Sequence, residues 1–173
     1  MKIKLFVFLF VALGGAYNLS AQTSELSRQV KTDFNLKATS QALEYFYNAA
    51  IGGKNGRIKD KAKFLKAQAT MVKNQSGLAY NRAKKLIERL ENKEFYKLAN
   101  EVSELKRDFY NLNYAANALI DVCDWAIKRP SNARNHYKSA EKAFNTMAKH
   151  FNNAQKHKHC ITYAMALEHT GDL

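Results

Sequence analysis

Two cysteines, one proline and seven glycines are all that 173 residues offer of the types that staple, kink or loosen a chain. A pair of cysteines, Cys123 and Cys160, is too few for a disulfide framework. Neither lies in a Cys-x-x-Cys or haem-attachment motif. A single proline leaves long helices almost uninterrupted. β-branched runs of the kind that favour strands are missing, and so is a glycine-rich phosphate loop. Negative charge is scarce: 15 Asp and Glu stand against 28 Lys and Arg. There is no His-Glu-x-x-His and no Glu-x-x-His, which removes the usual zinc-hydrolase and di-iron signatures.

Long apolar stretches are also lacking, with one short exception. Leu5 to Leu13 is an unbroken run of nine apolar residues, preceded by Lys2 and Lys4 and followed by Gly14, Gly15 and Ala16. Nine residues fall well below the ~20 that span a bilayer. The order of positive, apolar and small residues is that of a secretory signal peptide, residues 1–21, with a cut after Ala21 or, alternatively, after Ala16. No cysteine stands at the cut, so no lipid anchor is expected there. The expected product is an exported protein, periplasmic or extracellular, of one domain over residues 22–173. Its formal charge is +11 once Lys2 and Lys4 are lost.

What remains is a pattern of amphipathic helices. Phe95, Leu98, Val102, Leu105, Phe109, Leu112, Ala116, Leu119, Cys123 and Ala126 alternate steps of three and four. That repeat predicts a helix packed along a seam. From Tyr114 a second apolar line through Ala115, Ala118, Val122 and Trp125 makes the C-terminal half of this helix apolar on two faces, either central in the fold or partly covered by a partner. Four long helices are predicted at about 24–51, 59–92, 94–128 and 132–155, with a short one at 160–169. Ser24 is the expected first cap, and Gly52 to Gly56 the main loop. In the second helix Phe64/Leu65, Met71/Val72, Leu78/Ala79, Leu86/Ile87 and Leu90 are read as one inward side. Gly77 there marks a bend or a close contact. The short link at Asn92 and Lys93 makes the second and third helices antiparallel neighbours, the alternative being one continuous helix of roughly 70 residues through Asn92. The fold class is all-α: an up-down four-helix bundle with a short C-terminal fifth helix or tail.

Such a bundle puts Cys160 about 21 residues, or ~30 Å, beyond the level of Cys123, so an intramolecular disulfide is not expected. Cys160 sits in a polar stretch and reads as a reactive or intermolecular thiol. With His150, His157 and His159 it forms the one segment rich in metal ligands, suited to Cu, Ni or Zn. On a helix His150, His157 and Cys160 share a face, while His159 points away. Glu94, Glu101 and Asp108 recur every seven residues with Glu104 beside them, and read as a charge row answering lysines on a neighbouring helix.

The positive excess is concentrated. Thirteen Lys and Arg lie between Lys54 and Lys97, and eight between Lys128 and Lys158 against Glu141 alone. Tyr45-Phe46-Tyr47 cannot all face one core, so at least one ring marks a rim or interface. Together these predict a non-enzymatic binder or structural protein of the envelope. Its contact residues are Tyr45, Tyr47, Trp125, Lys61, Lys63, Lys84, Lys85, Arg89, Lys138 and Lys142. Its partner is a protein, a second copy, or an anionic envelope polymer or lipid head group. Nucleic acid is a further polyanion that no motif here supports. The alternative is a periplasmic metal binder using His150, His157, His159 and Cys160.

Overall fold

The computed structural model describes residues 21–173, and the expected signal segment falls outside them except for Ala21. The described chain is all helical, with no strand. Six helices pack on one another: α1 (21–31 as described), α2 (Leu36–Gly52), α3 (Asn55–Asn92), α4 (Tyr96–Lys128), α5 (Ala133–Lys156) and α6 (Lys158–Thr170). A single 3-10 turn, Pro130–Asn132, joins α4 to α5. α3 packs on α4, α4 on α5, and α2 lies against both α3 and α5. None of the described helices is long and apolar enough to cross a membrane.

The seam of α4 is buried as its periodicity requires. Leu98, Val102, Leu105, Phe109, Leu112, Ala116, Leu119, Cys123 and Ala126 are all in the core, with Phe95 partly covered. The second apolar line is only partly covered: Ala115 and Val122 are buried, whereas Tyr114 and Trp125 are exposed.

The first predicted helix is in fact two. Phe34 and Asn35 adopt left-handed backbone (φ 51° and 66°) and break the helix between α1 and α2. The Asp33 carboxylate accepts from the Asn35 and Lys37 backbone N–H groups at 3.0 and 3.1 Å, satisfying donors at the start of α2. A non-glycine residue pays about 1–2 kcal/mol for left-handed backbone. Phe34 offsets this by burying its ring against Phe109 and Phe151, each at 5.7 Å between centroids. Ser24 is not the cap either. It lies inside α1, and its hydroxyl donates to the Ala21 carbonyl one turn back.

The five-residue loop expected at Gly52 to Gly56 shrinks to Gly53 and Lys54, because α3 begins at Asn55. Gly53 is needed there: its N–H donates to the Ala49 carbonyl at 2.7 Å, and a Cβ would sit 2.5 Å from that oxygen. Gly77 proves to be a close contact. A Cβ there would lie 3.3 Å from Asn113 Nδ2, which bonds the Lys73 carbonyl at 2.6 Å.

On α3 the inward side is narrower than the sequence suggested. Leu65, Val72, Ala79, Leu86, Ile87 and Leu90 are buried, whereas Phe64, Met71 and Leu78 are 42–52% exposed. Adjacent residues on a helix point about 100° apart, so Leu65, Val72 and Ala79 face the core while their neighbours turn outward; only Leu86 and Ile87 are both covered.

The end holding α1 and α6 is locked by polar contacts. Arg89 of α3 pairs with Glu168 of α6, and Thr23 of α1 donates to the same carboxylate at 2.6 Å. Gln155 of α5 donates to the Val30 carbonyl of α1.

Candidate functional site

The polar C-terminal segment does not assemble its four candidate ligands. His150 Nδ1 lies 3.0 Å from Asp108 Oδ1 of α4. His159 Nε2 lies 3.2 Å from Glu101 Oε2, and its Nδ1 is 3.1 Å from the Lys156 carbonyl. His157 forms the junction between α5 and α6, so the continuous helical face expected for His150, His157 and Cys160 is interrupted. Among the described residues no group of three His, Cys, Asp or Glu side chains could hold a metal ion.

Of the carboxylate row, Asp108 and Glu101 face histidines of α5 and α6 rather than lysines, Glu104 pairs with Arg107 of its own helix, and Glu94 lies before α4 begins. The physical reason is position: α6 continues past α5 to the level where α4 begins, bringing His159 beside Glu101. That level is about 22 residues, or ~33 Å, from Cys123 along α4. Both cysteines are free and buried. The exposed reactive thiol expected at Cys160 is replaced by a covered one whose Sγ donates to the His157 carbonyl at 2.8 Å. Burial, then the nearby Glu101 charge, push its pKa up to about 12. Burial and the neighbouring Asp124 charge raise Cys123 similarly, to about 12.

The aromatic and basic candidates separate into two groups. Tyr45, Tyr47, Lys61, Lys63, Trp125, Lys138 and Lys142 lie towards the end carrying the α2–α3 and α4–α5 turns. Lys61 Nζ stands over the Tyr45 ring at 5.3 Å, and Tyr45 meets Phe64 at 6.4 Å between centroids. Tyr47 packs on Tyr137 at 4.7 Å, joining α2 to α5. Burial, with donation of its hydroxyl to Glu141 at 2.8 Å, pushes Tyr137 up to about 12. Lys138, Lys142 and Lys149 border a shallow polar groove on α5 with Glu141.

Lys84, Lys85 and Arg89 lie near the opposite end of α3, some 20 residues or ~30 Å away. Lys84 and Lys85 are exposed. Arg89 is not an outer contact: it is held inside by Glu168, and also reaches Thr23 Oγ1 at 3.3 Å.

One feature was not singled out in the sequence. At the α4–α5 corner Trp125, Lys128, Arg129, Asn132 and His136 line a half-open cavity of about 510 Å³. Trp125 is 55% exposed, whereas His136 is only 9% exposed and its Nε2 has no hydrogen-bond partner among the described residues. The available signal was an aromatic residue followed three and four positions later by two cations at a helix end. No signal in the sequence assigns His136 to that corner, since the turn at Pro130 does so.

No protein-family model, no curated protein and no solved structure matches this chain.

Proposed function

We propose that this chain is an exported binding protein, not an enzyme, whose helices α2 to α5 form an up-down four-helix bundle. Its partner is an anionic component of the cell envelope, met at the end carrying the α2–α3 and α4–α5 turns. The observation that carries this reading is the mixture at that end: exposed Tyr45, Tyr47 and Trp125 among Lys61, Lys63, Lys138 and Lys142. Aromatic faces amid cations suit a partner that has both flat surface and negative charge. Lysine-rich faces attract polyanions at range without demanding one fixed geometry.

Retention on an anionic polysaccharide matrix tests the reading. Elution should need more salt than a neutral protein of this size, because salt screens the attraction. The Lys61→Ala, Lys63→Ala, Lys138→Ala, Lys142→Ala variant should elute earlier. Retention that ignores salt, or is unchanged in that variant, would overturn an electrostatic partner.

A further inference from the structure

The cavity at the α4–α5 corner combines four properties. First, it carries positive charge that nothing internal answers. Lys128 and Arg129 line it, no carboxylate does, and among the described residues neither cation enters a salt bridge. Second, it presents a free aromatic face. Trp125 is half exposed, and among the described residues neither a ring nor a cation covers its indole. Third, its size of about 510 Å³ lies in the range of small-molecule sites. Fourth, its wall contains a covered imidazole, His136, with an unpartnered Nε2.

The last point is the most specific. A buried polar atom without a partner costs stability, so the fold gains nothing by keeping it there. Leucine or phenylalanine would fill the same position on α5 without that cost. A ligand or bound solvent held at the site gives the imidazole a reason to be there.

We propose that this corner is a binding site for an acidic pyranose, a sugar ring carrying a carboxylate or a phosphate. Trp125 stacks on the apolar C–H face of the ring, whose partial positive charge meets the negative face of the indole. Lys128 lies three residues further along α4 and Arg129 caps that helix; both line the cavity with Trp125 and pair with the anionic group. His136 and Asn132 supply the neutral polar groups at the wall. The proposal rests on the anionic-partner reading above and gives it a discrete site and a monomer unit. Neither a bare anion nor a neutral sugar would use both the indole and the cations.

Trp125 is the chain's only tryptophan beside nine tyrosines, so emission excited at the red edge, where tyrosine does not absorb, reports this corner alone. The purified protein, lacking residues 1–21, is titrated with digalacturonate, glucose 6-phosphate, methyl glucoside, inorganic phosphate and AMP. A saturable change with digalacturonate or glucose 6-phosphate, and a much weaker one with the other three, is expected. Which of the two acids binds tighter identifies the source as a uronate polymer or a phosphorylated saccharide. The Lys128→Ala, Arg129→Ala variant should lose about tenfold or more in affinity, the usual effect of removing charge-assisted bonds.

His136→Leu separates a ligand role from a packing role. It should raise the thermal midpoint of the free protein while weakening the sugar response. A fall in midpoint with an unchanged response would make His136 structural and overturn its part in the site. No saturable response to either acid, an equal response to methyl glucoside or phosphate, or tighter binding of AMP would overturn the acidic pyranose. If the unmutated protein shows salt-dependent retention on the anionic matrix while its fluorescence stays silent to both acids, the anionic-partner reading stands and this site falls.

Discussion

Asp108 and His150 face each other across the α4–α5 interface, Oδ1 to Nδ1 at 3.0 Å, with the carboxylate almost wholly covered. Glu101 and His159 make the same kind of pair one heptad earlier on α4, but at the surface. Identical chemistry at two depths gives a direct comparison. Asp108→Ala should cost about 1–3 kcal/mol, because His150 loses a partner in a partly dry site. Glu101→Ala should stay within about 0.5–1 kcal/mol, as exposed pairs do. Urea unfolding of the two variants measures both.

The thiols give a chemical prediction. With Cys123 and Cys160 buried and pushed up to about 12, neither should react with a disulfide reagent at pH 8 in the folded protein. Both should react in denaturant. The folded state holds these protons more tightly than the unfolded chain does. The stabilisation is complete below the ordinary thiol value of 9.0 and is lost as pH rises from there to about 12. Thermal midpoints between pH 7 and 11 should fall in that window. Replacing both cysteines by alanine should flatten the slope.

Two glycines three residues apart should respond oppositely. Gly53→Ala puts a methyl 2.5 Å from the Ala49 carbonyl oxygen, where only backbone can give way. A loss of about 1–3 kcal/mol is expected, in the range of overpacked sites. Gly56 lies in the first turn of α3, and a Cβ there meets nothing within 4 Å. Gly56→Ala should therefore stabilise by about 0.5–1 kcal/mol. Thermal unfolding of both variants checks the pair.

Metal titration is the remaining test. His150 and His159 each face a carboxylate, and the Cys160 thiol is engaged and covered. Calorimetric titration with Cu, Ni or Zn should accordingly give no micromolar binding that His157→Ala abolishes. Such binding would restore the metal reading of the C-terminal segment.

The helical class and the α4 seam were legible in the sequence because ten positions from Phe95 to Ala126 repeat without a fault and the core covers nearly all of them. The break at Thr32 to Asn35 was hidden by the same signal. Val30 and Phe34 are four apart and both buried, so the apolar pattern runs straight across a turn that only Asp33 and Asn35 announce. Phe64, Met71 and Leu78 were misassigned because each has an apolar neighbour, and composition alone does not say which of two points inward. Among the candidate residues, Tyr45 and Tyr47 are exposed because three consecutive aromatics exceed one core face, and Trp125 is exposed as well. Arg89 was misplaced because its partners, Thr23 and Glu168, are 66 and 79 residues away. His136 could not be paired with Trp125 before the corner at Pro130 was known.

The junction of Thr23, Arg89 and Glu168 has a mechanical result. It fastens the beginning and the end of the described chain to the same point on α3. Tension applied through residues 21 and 173 would enter and leave the molecule there, tearing α1 and α6 away first. The long α3–α4 and α4–α5 contacts lie outside that load path and would stay in register until the fastening had already failed.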